Sequence, residues 1–123
     1  MPIDFEKFLK KHNWILTDGA IGTNLFNMGL NSGDCPELWN EKESSKIKYL
    51  IRSFIESGSR IILTNSFGAN FSRLKLHGLQ NKSYEISKLS ADVIEIQTSF
   101  LSILEVLVRE PLTIIFTLIM MIK

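Results

Sequence analysis

The sequence predicts an α/β chain built on a parallel sheet, and three observations carry that prediction. Two short apolar runs end in polar, glycine-bearing stretches. Trp14-Ile15-Leu16 runs into Thr17-Asp18-Gly19-Ala20-Ile21-Gly22-Thr23, and Ile61-Ile62-Leu63 runs into Thr64-Asn65-Ser66-Phe67-Gly68-Ala69-Asn70. Between and beyond them, apolar residues recur at helical spacing. Strands alternating with amphipathic helices at this interval imply βαβ units. Ligands of such sheets gather at the carboxyl ends of the strands, so both polar stretches fall on one predicted binding face.

Each element has its own warrant. "MPIDFEKFLKKHNW" reads as a short amphipathic helix with Phe5, Phe8 and Leu9 on one side; it carries acids early and has no apolar core of signal-peptide length. The first strand covers residues 14–16. A turn-rich stretch, "NMGLNSGDCPELWNEKESSK", follows. In it Asn40 and Glu43 have the N-cap and N3 pattern of a helix start. Ile47, Leu50, Ile51, Phe54 and Ile55 then mark one helical face, and Gly58 stands where a C-terminal glycine belongs. The second strand, residues 61–63, is composed for burial on both faces. Asn81 is placed to cap a last helix with Ile86, Leu89, Val93, Ile96 and Phe100 as its stripe.

At 123 residues the chain is one domain's worth. Hydrophobic residues at 45% and charged residues at 22% argue against disorder. A net charge of +1, with no basic block and no acidic tail, excludes nucleic acid as an expected partner. The single cysteine, Cys35, excludes an internal disulfide framework and fits a reducing compartment, the cytoplasm by default. From Phe100 the chain turns far more apolar, "FLSILEVLVREPLTIIFTLIMMIK". Its charge-free run, 111–122, is shorter than the ~20 residues that cross a bilayer. Extending the run upstream meets Glu105, Arg109 and Glu110, so a membrane anchor is not the favoured reading.

Asp18-Gly19 is the sharpest chemical signal. A carboxylate at a strand end can accept from a ligand's ammonium or hydroxyl, and Gly19 and Gly22 let backbone N–H groups approach an anion. The alternative is an Asp-Gly turn with Asp18 capping the next helix. Thr64, Asn65 and Ser66 could bind a polar small molecule, or could close a turn with Asn70 or Ser72 capping a short helix. No GxGxxG or GxxxxGK[ST] phosphate loop occurs. Cys35 has only His12 and His77 for company, no set of zinc-site spacing, and reads as a packed thiol. His77 reads as a loop or helix-end residue, and Trp39 as core or rim.

Taken together, "ILTDGAIGTNLFNMGL", "CPELWN" and "SGSRIILTNSFGANFSRLKLHGL" resemble the opening third of the homocysteine S-methyltransferase family, from about His12 to about Val93. That family includes the homocysteine-binding domain of methionine synthase and the betaine–homocysteine methyltransferases. The resemblance implies the N-terminal βα units of a (β/α)8 TIM-type barrel. The implied reaction moves a methyl group to the sulfur of homocysteine, held as a thiolate by zinc, and gives methionine. By the same resemblance Asp18 and Gly19 hold the amino acid end of homocysteine, and Thr64 and Asn65 belong to the same pocket. Betaine-type members tend to have an aromatic residue where this chain has Gly68, which points instead to a methyltetrahydrofolate- or cobalamin-linked donor.

The sequence also departs from the family. The zinc ligands there are three cysteines on late strands, two of them adjacent in a Gly-Gly-Cys-Cys motif; none is present here, and Cys35 does not match them. In place of a third strand ending in Gly-Pro comes the apolar tail. The expectation is therefore residues 1–99 as the N-terminal part of a homocysteine-binding barrel and 100–123 as a tail outside the family pattern. A truncated or frame-shifted product of this kind is expected to be inactive alone and to self-associate through uncovered apolar surface. The rival is a non-catalytic α/β module that assembles with a partner chain or is tethered to a membrane by its tail.

Overall fold

The computed structural model describes residues 5–11, 14–105 and 114–116. Helix α1 (Phe5–Lys11) is present as expected, while the side taken by Phe5, Phe8 and Leu9 lies outside the described residues. The first predicted strand is reduced to its end. Residues 14–16 form no ladder, and pairing is a single parallel bridge from Thr17 to Ile61. Hydrogen bonds flank it: Arg60 N donates to Leu16 O at 2.8 Å, Asp18 N to Ile61 O at 2.9 Å, and Ser59 Oγ to Thr17 O at 3.0 Å. Trp14 and Leu16 are exposed, so the apolar run lacks the packing that would extend its pairing.

Helix α2 (Ile21–Asn27) starts at Ala20 with no side-chain cap, so Asp18 does not cap it. After a 3₁₀ turn at Pro36–Leu38 come α3 (Trp39–Lys42) and α4 (Ser44–Glu56). Asn40 is not the N-cap its spacing predicts but a buried residue inside α3. Its side chain is bound to Asn65, a long-range partner that no local pattern displays. The α4 stripe is as predicted: Ile47, Leu50, Ile51 and Ile55 are buried and Phe54 half-buried. Gly58, with φ 99°, closes the helix; its N–H donates to Ile55 O and that of Ser59 to Phe54 O. This 5→2 and 6→1 pair is the Schellman arrangement, which favours glycine at the left-handed position.

Strand β1 (Ile61–Leu63) is the hub of the sheet. It takes the Leu16–Thr17 segment on one side and pairs in parallel with β2 (Ile114–Phe116) on the other, Ile61 opposite Ile114, Ile62 opposite Ile115 and Leu63 opposite Phe116. Ile62 is fully buried toward the helices, a burial worth about 1.5–3 kcal/mol. Leu63 is exposed, which corrects the expectation of a strand buried on both faces. Helix α5 (Phe71–Lys75) is capped by Asn70, whose Oδ1 accepts from Arg73 N at 3.0 Å.

A second 3₁₀ turn, Gln80–Lys82, leads into α6 (Ser83–Glu105), and Asn81 lies inside that turn, not ahead of the helix as a cap. Ser83 Oγ reaches back to Ala69 O at 2.5 Å and fixes the entry. Ile86 and Val93 of the predicted stripe are buried and Leu89 half-buried; the side chains of Ile96 and Phe100 lie outside the described residues. The helix runs unbroken through residues 99 and 100, and of the tail beyond it only 114–116 are described.

Among the described residues two apolar clusters result. Leu25, Leu30, Ile47, Leu50, Ile51, Ile55, Ile62, Val93 and Ile94 form the larger, where α4 and α6 pack over one face of β1. Cys35, Ala69, Leu74 and Ile86 form the smaller, beneath the polar stretch after β1. Among the described residues no helix is long and apolar enough to cross a membrane.

Candidate functional site

The two polar stretches meet at the ends of the Leu16–Thr17 segment and β1. Asp18 makes the junction: its Oδ2 accepts from Leu63 N at 2.8 Å. Here the chain turns away from the ladder, and the carboxylate replaces the backbone carbonyl that would have met that N–H. Burial pushes the Asp18 carboxyl above its ordinary value, and the Leu63 amide offsets this only in part. Gly19 follows, exposed on one side and close to α4 on the other. A Cβ there would stand 3.1 Å from Phe54 Cε1. Ile21, Phe54, Leu63 and Asn65 border a shallow, mainly apolar cleft beside this junction.

The second stretch faces inward. Thr64 and Asn65 are both buried. Thr64 Oγ1 and Ser66 Oγ share a hydrogen bond of 2.6 Å. The Asn65 amide group donates to Pro36 O at 2.9 Å and to Asn40 Oδ1 at 3.3 Å, while Asn65 O accepts from Asn40 Nδ2 at 2.8 Å. Phe67, by contrast, is 73% exposed, with the Arg73 guanidinium 5.7 Å from its ring centroid.

A residue to which the sequence analysis assigned no role anchors the far end of this loop. Glu37, in the 3₁₀ turn of "CPELWN", is buried; its Oε1 accepts from Gly68 N at 2.6 Å and its Oε2 from Cys35 Sγ at 3.3 Å. The sequence holds no local signal for it beyond its place in "CPELWN", one of the three stretches that carry the resemblance. Asn40, which its spacing predicts as a cap, instead binds Asn65. Trp39, half-buried against the larger cluster, carries the Lys46 ammonium 4.7 Å from its ring centroid.

The four residues proposed from sequence are thus neighbours: Asp18 and Gly19 at the turn leaving the first segment, Thr64 and Asn65 at the turn leaving β1. Asp18 binds β1 directly, whereas Asn65 is committed to Pro36 and Asn40. The residues present do not fit a zinc centre. Among the described residues no three His, Cys, Asp or Glu side chains are grouped to hold a metal. Cys35 is buried; that burial, with the hydrogen bond and negative charge of Glu37, pushes its thiol up and away from the thiolate a metal needs. His77 sits exposed in the turn after α5.

The family described as Homocysteine S-methyltransferase matches residues 15–104. Two methionine synthases are similar over 77 residues, or 58% of this chain: that of Mycobacterium leprae (strain TN) at 31% identity and that of Mycobacterium tuberculosis (strain ATCC 25618 / H37Rv) at 30%. The crystal structure of the homocysteine methyltransferase MmuM from Escherichia coli, in its metallated form, has a similar fold, with a TM-score of 0.71 at 20% identity over 89% of this chain. The match spans 6% of each curated relative and 38% of the solved chain.

Proposed function

The chain belongs to the homocysteine S-methyltransferase family, and from that premise we propose that it forms the opening βα units of a (β/α)8 barrel and one wall of its homocysteine pocket. The observation that carries the reading is the Asp18–Leu63 bond, which sets both strand-end turns side by side at the edge where such sheets take ligands. Asp18 offers a half-buried carboxyl whose desolvation an incoming ammonium would offset. Gly19 leaves backbone open beside it, and Asn65 with Leu63 and Phe54 borders the aliphatic part of the cleft.

The reaction of the assembled barrel is methyl transfer to homocysteine, giving methionine, in the cytoplasm. Zinc ligation and the chemical step draw no residue from this stretch, because its one cysteine is committed to Glu37. The donor is folate- or cobalamin-linked: where a quaternary ammonium would need an aromatic wall, this chain has Gly68 against the Glu37 carboxylate. The exposed sheet face at Leu16 and Leu63 is where the remaining strands pack, or where copies of the chain associate in their absence.

The test is a titration of the isotope-labelled chain with L-homocysteine, followed by amide resonances. Weak binding, with Kd on the order of 1 mM, should move Asp18 and Gly19 first and Thr64 and Asn65 with them. Saturating shifts confined to other residues, or none at all, would sink the reading.

A further inference from the structure

We propose that Glu37 is the positioning residue of this pocket: its carboxylate sets the turn after β1 in the one conformation that presents Thr64 and Asn65 beside Asp18. The inference rests on the homocysteine reading above and adds to it a residue that touches no ligand. Four observations converge on it.

Glu37 is a carboxylate only 6% exposed, and it is held by an N–H and an S–H. Burying such a group is unfavourable unless both oxygens are occupied, so the turn at Gly68 and the thiol of Cys35 are fixed with it. A Cβ at Gly68 would lie 2.6 Å from Glu37 Oε1 and 2.9 Å from its Cδ, so any side chain there requires the carboxylate to move. The loop is also tied at its other end, where Asn40 and Pro36 hold Asn65. Both ties come from the segment 35–40, so a single short piece of chain grips residues 65 and 68 at once. Ser66 and Phe67 stand between the two grips, and Phe67 remains largely exposed.

A purely structural role would lower stability and leave binding to the folded fraction unchanged. A positioning role predicts a separation of the two. Glu37→Ala should abolish protection of the Gly68 amide against exchange while α4 and α6 amides remain protected. In the same variant the initial slope of the Asp18 and Gly19 shifts against homocysteine concentration should fall about tenfold, measured where the chain is folded. Glu37→Gln keeps one acceptor oxygen for Gly68 N and should restore both protection and slope to within about threefold. Loss of Gly68 protection with an unchanged slope overturns the positioning role and leaves the homocysteine reading standing. A Gln variant as defective as Ala overturns it too, since the acceptor geometry would then not matter. Absence of any shift in the wild-type chain removes the homocysteine reading itself, and this proposal with it. Should Glu37→Ala fail to fold, Cys35→Ser with Glu37 intact must keep both the slope and the Gly68 protection; loss of either would count against the carboxylate as the organiser.

Discussion

The turns after the first segment and after β1 look alike in sequence: each follows a three-residue apolar run and opens with a threonine, a side chain able to hydrogen-bond, and a nearby glycine. In the fold they are opposites. The first is held through one carboxylate, Asp18 to Leu63 N, and its Thr17, Gly19 and Ala20 are exposed. In the second, Thr64, Asn65, Gly68 and Ala69 are buried, and residues 65 and 68 are gripped by the segment 35–40. The difference teaches that one turn keeps its polar groups at the surface while the other spends them on the segment 35–40. Hydrogen bonds already made inside the protein are the measure of that distinction, because a buried polar group gains little from a ligand once it is satisfied.

The two glycines give the sharpest way to break the comparison. Gly68→Ala would drive a Cβ against the Glu37 carboxylate and displace it from both of its donors. Unpaired buried acceptors and donors should cost about 2–4 kcal/mol, read from chemical denaturation. Gly19→Ala meets only the edge of a half-buried ring at 3.1 Å, and Phe54 can turn aside. Its cost should stay below about 1 kcal/mol. Equal losses in the two variants would mean that the turns are equally framed.

Cys35 reports on the same lock without perturbing it. Its thiol is pushed up by burial, by the hydrogen bond to Glu37 and by that residue's charge. Alkylation of the native chain at neutral pH should therefore run at least about tenfold slower than in denaturant, since thiolate is the reacting species. Gly68→Ala, by dislodging Glu37, should bring the native rate toward the denatured one. Equal native and denatured rates in the wild-type chain would contradict a buried, engaged thiol.

A matched pair of asparagines sharpens the comparison further. Asn40→Ala removes a donor to Asn65 O and an acceptor of the Asn65 amide, both within the protein. A loss of about 1–3 kcal/mol is expected. Asn24→Ala removes only an exposed bond to Ala20 O in α2, and better helix propensity compensates, so its effect should lie within about 0.5 kcal/mol.

What was legible in the sequence was whatever depends on near neighbours. The α4 stripe, its end at Gly58, the Asn70 cap and β1 all follow from spacing and local backbone chemistry. Asn40 shows the limit. Its position three residues before Glu43 satisfies a capping pattern, yet the partner that decides its fate is Asn65, distant in the chain. Glu37 was invisible for the same reason, since a glutamate after proline in a turn reads as exposed until Gly68 is brought over it. The first strand failed differently. Trp14-Ile15-Leu16 has strand composition, but composition cannot supply a covering layer, and without one Trp14 and Leu16 stay exposed and the pairing stops at Thr17.

A further small effect bears most directly on how the first turn is held. Burial dominates at Asp18 and raises its carboxyl above the ordinary value, with the Leu63 amide opposing. The folded chain therefore binds that proton more tightly than the unfolded chain does. Asp18's contribution to stability is full below the unfolded carboxylate value and is lost as pH rises through the folded one. Asp18→Asn keeps an acceptor for Leu63 N and removes the titration. Compared at pH 3 and pH 7, the Asn variant should gain on the wild type as pH rises, by less than about 1 kcal/mol because solvent reaches the group. The wild-type chain gaining on the variant over that interval would mean that the amide holds Asp18 as a settled anion. The first turn would then be as fully satisfied as the second. With homocysteine present the sign should reverse, because an ammonium beside Asp18 stabilises the ionised form that burial alone disfavours.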